Sequence, residues 1–453
     1  MCGIVGFIGC KPAAPLLLEG LAKLEYRGYD SAGIALAGEN GVVIHKAKGR
    51  LGVLREMIGD GAGLPETAGI GHTRWATHGK PSDENSHPHR SASGRFAVVH
   101  NGIIENYAAL KKEMQEEGVV FLSETDTEVI AHLIEKAYAG DFLSAVRAAV
   151  ARLEGSYALG VLCSEHPDEL IAVRRSSPLV VGLAKEGNFI ASDVPAVLSH
   201  TRRFYQLADG ETAVLRRDGV TVFDGAGRPV QKVEMQVTWD VSSAEKGGYP
   251  HFMIKEIMEQ PQALSATISP RISPEGRIVL DGISLTAAQL KKVSRIYIVA
   301  CGSAYHAGVV GKYVLEKLTR IPVEVDLASE FRYRDPIVDS RTLVLIISQS
   351  GETADTLAAL REAKKRGGRV LSIVNVVGSS IASESDDVLY TWAGPEISVA
   401  TTKAYSTQLT MLYLIAFYIA EKLGHIDDRD LRRLLSALVR LPDMVSGILR
   451  QAS

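Results

Sequence analysis

The second residue of the sequence is a cysteine, and its position gives it a chemistry that other cysteines lack. Cys2 directly follows the initiator methionine, and a residue this small permits removal of Met1. Removal leaves a free α-amino group beside the thiol. With a pKa of about 7.7–8.0, such an amine can act as the base for an adjacent nucleophile. The alternative is a buried structural cysteine that begins an edge strand. The polar motifs downstream bear on this choice.

A polar segment, Gly71–Gly79, contains two histidines, an arginine and a tryptophan, and His87 and His89 follow closely. A zinc site would explain the histidines, but cysteines or carboxylates at ligand spacing would normally accompany them, and neither is arranged in that way here. Arg74 instead suits bidentate capture of a substrate carboxylate. The segment therefore favours a site for a small acid over a metal centre.

The dipeptide Asn101-Gly102 follows the apolar run 96–99 and has two interpretations. Asn-Gly is the strongest short-range signal for a hairpin turn, and taken alone it favours that turn. Alternatively, the Asn101 amide and the Gly102 N–H could form an oxyanion hole for a tetrahedral intermediate. The acidic segment 123–128 is equally ambiguous, because it resembles a helix N-cap, although Asp126 could receive an ammonium group.

Two further polar loops follow apolar strands in the second half of the chain. Residues 348–353 lie between the predicted strand 343–347 and the predicted helix 354–365. Hydroxyls and free N–H groups at a helix N-terminus can bind an anion without Lys or Arg. A simple helix cap is the alternative. Residues 301–303 repeat this placement, so both loops are expected at the carboxyl edge of one sheet.

Charge and composition exclude several classes of function. The 453 residues carry 50 basic and 53 acidic side chains, a formal charge of −3, which gives no electrostatic footprint for binding nucleic acid. Four scattered cysteines fit a reducing, cytoplasmic compartment. The N-terminus lacks a secretory signal pattern. The longest apolar stretch, 412–420, is about half of the roughly 20 residues that a membrane-spanning helix needs, and it predicts a buried helix instead.

The periodicity of the sequence changes along the chain and predicts its domains. Residues 1–240 alternate β-branched runs and Gly-rich turns with two helical patterns, which indicates an α+β layered domain. Residues 241–284 lose this periodicity and are interpreted as a linker. Residues 285–428 repeat strand, Gly/Ser turn and helix, which is typical of a doubly wound parallel sheet. Residues 429–453 hold only a helical remnant.

Five ordered motifs together resemble the N-terminal-nucleophile, class II glutamine amidotransferases, and most closely the glutamine–fructose-6-phosphate aminotransferase family. These motifs are Cys2–Gly6, Glu25–Ser31, His72–Gly79, His100–Asn106 and Glu124–Glu128. The resemblance implies a four-layer α+β fold in which Cys2 attacks the side-chain amide of glutamine and Asn101 and Gly102 form the oxyanion hole. The glutamine-binding residues that it implies are Arg27, Gly28, Arg74, Thr77, His78 and Asp126. It also assigns Trp75 as the gate for ammonia.

The second half is similar to the sugar isomerase (SIS) domain of the same family, a flavodoxin-like α/β fold. The motifs are Lys255–Ile257, Glu259–Pro261, 301–306, 348–353 and Ser398–Tyr405. The resemblance implies a phosphate site of Ser348, Gln349, Ser350 and Thr353, with Ser303, Val399 and Ala400 near the sugar. This chain has Ala304 where some members have a second hydroxyl, so one phosphate contact is expected to be missing or supplied by water.

The family carries a second SIS domain, and no second series of strands and Ser/Thr loops follows Asp430. The resemblance thus implies a shortened enzyme that keeps glutaminase chemistry and partial sugar-phosphate binding but has little or no synthase turnover. It implies glutamine and fructose 6-phosphate as substrates, no cofactor, no metal, and a homodimer for the full-length form. A non-catalytic sugar-phosphate sensor with a vestigial amidotransferase domain is the alternative, although the complete set of motif residues speaks against a vestige.

Overall fold

The computed structural model describes residues 2–25, 28–38, 41–76, 78–237 and 246–451. The chain divides into two compact units, residues 1–241 and 242–453, each with its own core.

Unit 1 contains fifteen strands and five α-helices among its described residues. The strands are β1 (Gly3–Gly9), β2 (Ser31–Gly38), β3 (Gly41–Lys48), β4 (Ala68–Arg74), β5 (His89–Arg90), β6 (Phe96–Ile104), β7 (Gly155–Cys163), β8 (Leu170–Arg175), β9 (Val180–Ala184), β10 (Gly187–Ala191), β11 (Arg203–Gln206), β12 (Thr212–Arg216), β13 (Gly219–Phe223), β14 (Pro229–Val230) and β15 (Met235–Gln236). The helices are α1 (Ala13–Leu24), α2 (Leu51–Ile58), α3 (Tyr107–Glu116), α4 (Glu128–Ala137) and α5 (Phe142–Val150).

These strands form two antiparallel sheets that pack face to face. One has the order β15-β11-β9-β10-β1-β4-β2-β3 and the other β14-β13-β12-β8-β7-β6-β5. Successive side chains of a strand point to opposite faces, so β1 directs Ile4 and Ile8 into the core between the sheets, and Val5 and Phe7 into the core beneath α1 and α2. Helices α4 and α5 cover the outer face of the second sheet. The predicted four-layer α+β fold is confirmed.

Unit 2 is built around a parallel sheet of five strands. They are β16 (Arg295–Ala300), β17 (Val323–Leu327), β18 (Thr342–Ser348), β19 (Arg369–Val374) and β20 (Asp387–Tyr390), in the order β17-β16-β18-β19-β20. Its helices are α6 (Phe252–Met258), α7 (Gln260–Ile268), α8 (Ala287–Leu290), α9 (Gly302–Thr319), α10 (Ala328–Phe331), α11 (Ala354–Lys365), α12 (Ser380–Glu384), α13 (Lys403–Leu423), α14 (Asp428–Val439) and α15 (Leu441–Leu449).

Both faces of this parallel sheet are covered, which explains its unbroken apolar strands. In β18, Leu343, Leu345 and Ile347 face the core with α9 and α13, whereas Val344 and Ile346 face the core with α10 and α11. The predicted doubly wound fold is therefore confirmed. The stretch 412–420 is a buried part of α13, and none of the helices that the structure describes is long and apolar enough to cross a membrane.

Two sequence-based expectations differ from the structure. The predicted linker, 241–284, contains α6 and α7 in its described part, and Leu264, Ile268 and Leu280 are buried in the core of unit 2. This segment is therefore largely part of the folded unit, and its irregular pattern reflects short helices joined by turns. The hairpin turn, which was one of two interpretations of Asn101-Gly102, is wrong, because β6 continues through both residues to Ile104 and pairs with β7 throughout.

Candidate active site

The pairing of β1 with β4 positions Cys2. Gly3 lies opposite Thr73 in this antiparallel register, so the residue before β1 meets the residues that follow β4. The Trp75 backbone N–H donates to Cys2 Sγ at 3.2 Å. Burial raises the pKa of the Cys2 thiol, an effect that exceeds the opposing contribution of the Trp75 hydrogen bond. The thiol is therefore protonated at neutral pH, and it needs a base to become a nucleophile.

Gly28, a predicted glutamine-binding residue, packs directly on this corner. A Cβ at Gly28 would lie 2.6 Å from the Arg74 carbonyl carbon and 2.8 Å from the Trp75 nitrogen. Asp30 holds the same turn, because its Oδ2 accepts the Ala76 N–H at 2.8 Å. Only glycine allows this close approach of the two backbone segments.

Asn101 reaches the cysteine from the other sheet, and Gly102 follows it in β6. The Asn101 side-chain Nδ2 donates to the Cys2 carbonyl oxygen at 3.0 Å, although 99 positions separate the two residues. Gly102 has φ +139°, and a Cβ there would lie 2.0 Å from the Ser156 carbonyl oxygen. Only glycine readily adopts this backbone conformation, so Gly102 allows β6 to keep its hydrogen-bonded pairing with β7 at this position.

The two predicted ligands for the ends of a substrate amino acid have distinct surroundings. Asp126 does not cap α4, because its Oδ2 instead accepts the Ile104 N–H at 2.9 Å. The Arg74 side chain is almost fully buried, and its Nη2 donates to the carbonyl oxygens of His78 and Gly79. Its Nη1 is buried with no hydrogen-bond partner among the described residues. A buried guanidinium nitrogen without a partner is costly and suits an anionic ligand.

The remaining amidotransferase residues lie on or beside the segment after β4. Trp75 is 40% exposed and packs edge-to-face against Tyr29 at a centroid distance of 5.2 Å. His78 is exposed, with its ring against Tyr107. Arg27 and Thr77 lie outside the described residues.

A residue that sequence reasoning did not assign to the site, His72, contacts the oxyanion-hole candidate. Its Nε2 lies 3.0 Å from Asn101 Oδ1 and 3.1 Å from the His100 carbonyl oxygen. The histidine-rich segment Gly71–Gly79 was the available signal for this contact in the sequence. Across the described ranges, no group of three or more His, Cys, Asp or Glu side chains is arranged to hold a metal ion.

In unit 2, the loop after β18 folds around its own hydroxyls. Ser348 Oγ accepts the Gly351 N–H at 3.0 Å and lies 3.2 Å from Thr353 Oγ1. Ser350 Oγ accepts the Glu352 N–H at 3.2 Å. Thr353 stands at the N-cap of α11 without a side-chain capping bond, so the first turn of this helix keeps N–H groups for an anion.

A second loop enters the same sheet edge beside it. Because β16 pairs in parallel with β18, Ala300 opposite Ile347, the loops that follow the two strands are neighbours. Ser303 is exposed in the first turn of α9, and Ala304 packs partly against the core. Gln349 is half-buried, and its carbonyl oxygen accepts the Asn375 N–H at 3.1 Å.

Val399 and Ala400 are exposed on the segment between β20 and α13, and two carboxylates that the sequence analysis did not assign hold that segment. Val399 is 83% exposed. Glu256 Oε1 accepts the N–H groups of Ile397 at 2.6 Å and Ser398 at 3.1 Å. Glu396 accepts the Thr402 and Ala404 N–H groups on its other side. Hydrogen bonds from backbone N–H groups to these two carboxylates thus hold the segment in place.

Comparison with known proteins gives matches to both units. A glutamine amidotransferase domain model matches residues 72–199, and a SIS domain model matches residues 289–418. A solved structure described as the C-terminal domain of glucosamine-fructose-6-phosphate aminotransferase from Francisella tularensis is 42% identical and covers 46% of this chain and 58% of its own, with a TM-score of 0.44.

Curated relatives match along nearly the whole chain. The glutamine–fructose-6-phosphate aminotransferase (isomerizing) of Caldanaerobacter subterraneus subsp. tengcongensis is 60% identical over 449 residues, which are 99% of this chain and 74% of the relative. The enzyme of the same name from Thermus thermophilus is 50% identical over 451 residues, again 74% of its length. Identity at this level over such coverage shows that the chain belongs to the glutamine–fructose-6-phosphate aminotransferase family.

Proposed function

We propose that unit 1 hydrolyses glutamine at Cys2 and that unit 2 binds the phosphosugar acceptor, fructose 6-phosphate. The observation that carries the first part is the hydrogen bond from the Asn101 amide to the Cys2 carbonyl oxygen, at 3.0 Å. It joins a nucleophile and an amide donor from two different sheets. Asp126 lies beside the end of β6, the strand that carries Asn101, because its carboxylate accepts the Ile104 N–H.

The substrate amino acid would be held at both of its charges. Arg74 Nη1, buried and without a partner among the described residues, suits the α-carboxylate, and Asp126 suits the α-ammonium group. Arg27, Gly28, Thr77 and His78 complete the proposed glutamine-binding set.

The chemistry proceeds through a thioester. After Met1 is removed, the α-amine of Cys2 takes the thiol proton while Sγ bonds to the amide carbon of glutamine, and the carbonyl oxygen becomes an oxyanion facing Asn101 and Gly102. The amine returns the proton to the leaving nitrogen, the C–N bond breaks, and ammonia departs. Water then cleaves the thioester to give glutamate. Because burial raises the pKa of the Cys2 thiol, proton transfer to the amine accompanies the attack.

In unit 2, Ser348, Gln349, Ser350 and Thr353 would bind the phosphate, and Ser303, Val399 and Ala400 the sugar. The open N-terminus of α11 supports this assignment. Trp75 would gate ammonia. In the complete family reaction fructose 6-phosphate takes up this ammonia to form glucosamine 6-phosphate, and little or no such turnover is expected of this chain alone. A homodimer for the full-length form and a cytoplasmic location are parts of the same proposal.

The test is glutamine hydrolysis by the purified chain, with glutamate as the measured product. Activity that Cys2→Ala abolishes supports the proposal, provided that intact mass shows Met1 to be removed from the active protein. Fructose 6-phosphate binding, measured by calorimetry, should survive in Cys2→Ala. Sugar-phosphate binding without any Cys2-dependent hydrolysis would contradict the amidotransferase assignment and favour a sensor.

A further inference from the structure

Four histidines form a buried cluster next to the proposed oxyanion hole. They are His72 on β4, His87, His89 on β5, and His100 on β6, and each is at most 6% exposed. The His72 and His87 rings stack at 4.1 Å, and His87 meets His89 edge-to-face at 4.7 Å. The proposed reaction assigns no role to any of them.

The contacts of His72 define which of its nitrogens carries the proton. Nε2 lies 3.1 Å from the His100 carbonyl oxygen, an atom that can only accept. Nδ1 is buried and has no hydrogen-bond partner within the described ranges. Burial lowers the pKa of His72 to about 3, so the ring is neutral at pH 7. It is thus the tautomer with its hydrogen on Nε2.

The Asn101 amide is fixed by contacts at both of its ends. The Cys2 carbonyl oxygen, 3.0 Å away, requires the NH2 group on that side. This leaves Oδ1 to accept from His72 Nε2 at 3.0 Å. If the amide were rotated by half a turn, its oxygen would face the Cys2 carbonyl oxygen and its NH2 group would face the His72 Nε2–H. Neither pair could form a hydrogen bond. In the observed orientation the second amide hydrogen makes no hydrogen bond to any described residue.

We infer that His72 is a positioning residue, which holds the Asn101 amide with its unused N–H directed to the substrate oxyanion. The inference rests on the proposed function, since the oxyanion arises only during hydrolysis at Cys2. A preorganised donor of this kind costs no reorientation when the oxyanion forms. The Cys2 thiol is held by a separate contact, because Sγ accepts the Trp75 backbone N–H.

Two substitutions of His72 distinguish a role in positioning the Asn101 amide from a role in packing alone. The amide of asparagine reaches about as far as Nδ1 of histidine, whereas that of glutamine reaches the position of Nε2. His72→Asn therefore removes the donor to Asn101, and His72→Gln restores it. Since losing a whole oxyanion-hole donor lowers kcat about 10²–10³-fold, we expect His72→Asn to lower kcat for glutamine hydrolysis about 10–100-fold. KM should change less than about threefold, and His72→Gln should recover most of the rate.

Three controls make the test specific. His87→Asn changes the stacked neighbour, which makes no hydrogen bond with Asn101, and should keep kcat within about threefold. In an Asn101→Ala background, His72→Asn should lower kcat less than about twofold further. Alkylation of Cys2 by iodoacetamide should keep its rate in His72→Asn, because this displacement develops no oxyanion.

The inference is overturned if His72→Asn hydrolyses glutamine at the parental rate, if its loss persists undiminished without Asn101, or if alkylation slows in parallel. A crystal structure of His72→Asn gives a readout independent of activity, and an Asn101 amide unmoved and equally ordered there would also overturn it. A parent protein without Cys2-dependent hydrolysis would instead refute the proposed function.

Discussion

Replacing Gly102 by alanine places a methyl group inside the pairing of β6 with β7. The new Cβ would lie 2.0 Å from the Ser156 carbonyl oxygen and 2.7 Å from its carbon. Both atoms belong to the backbone, so no side-chain rotation relieves the contact. The backbone of residue 102 must leave φ +139°, or the two strands must separate locally.

If the strands separate, residue 102 stays at its strained φ, so two costs add. A non-glycine residue at such a φ costs about 1–3 kcal/mol, and each ladder hydrogen bond lost by separation costs about 1 kcal/mol. We expect Gly102→Ala to lower the free energy of unfolding of unit 1 by about 3–4 kcal/mol. Gly94→Ala is the matched control, because Gly94 has φ +76° but a Cβ there meets open space, and it should cost about 1–2 kcal/mol.

Calorimetry and kinetics measure the effect together. For a unit of this size about 1 kcal/mol shifts Tm by about 2–4 °C, so Gly102→Ala should lower Tm of unit 1 by about 10 °C and Gly94→Ala by about 4 °C. Because a misplacement of about 1 Å costs about 10²-fold in rate, kcat for glutamine hydrolysis should fall about 100-fold only in Gly102→Ala. Equal Tm shifts, or a Gly102→Ala protein with parental kcat, would refute this reasoning.

Three other predictions follow from individual contacts. Gly351→Ala puts a Cβ 1.9 Å from Ser379 Oγ in the proposed phosphate loop, so calorimetry should show fructose 6-phosphate binding weakened at least about tenfold, whereas Gly367→Ala, also at positive φ but with its nearest contact 3.9 Å away, should bind normally. Arg74→Lys loses the fork that suits a carboxylate, so KM for glutamine should rise at least about tenfold with a smaller change in kcat, and an unchanged KM would contradict the assignment. Burial raises the pKa of Glu128, but hydrogen bonds from a histidine and neighbouring N–H groups outweigh it and lower that pKa from 4.5 to about 2. This carboxylate therefore stabilises unit 1 above pH 4.5, and the stabilisation is lost as the pH falls towards 2. Tm measured against pH should accordingly fall less steeply in Glu128→Gln over this range.

Local sequence patterns were sufficient for most secondary structure near the sites. The predicted helix 354–365 has the observed bounds of α11. Its apolar spacing and the Ser/Thr loop that starts it are both local signals, which a sequence shows directly. The apolar run of β18, predicted as 343–347, was equally clear, since a parallel sheet covered on both faces needs apolar side chains at every position.

Expectations failed where a distant partner overrides local preference. Asn101-Gly102 has the composition of a turn, yet pairing with β7 keeps it in a strand. For Asp126, helix capping was one of two open interpretations, and the Ile104 N–H, 22 residues away, takes its carboxylate instead. In the predicted linker, Leu264 and Ile268 are buried against a core formed by later residues. Turn and cap propensities amount to about 1 kcal/mol, which sheet pairing and burial readily exceed.

The sequence by itself determined the chemical inventory of this protein: a cysteine after the initiator methionine, an arginine and an aspartate that we propose bind an amino acid, and hydroxyl loops that we propose bind a phosphate. Those are properties of residue types and short spacings. Only the tertiary structure decided that Cys2 and Asn101 meet, that the Ser156 backbone requires glycine at position 102, and that His72 contacts the Asn101 amide. These relations depend on the register of β1 with β4 and of β6 with β7, and register arises from the packing of whole sheets rather than from any local run of residues.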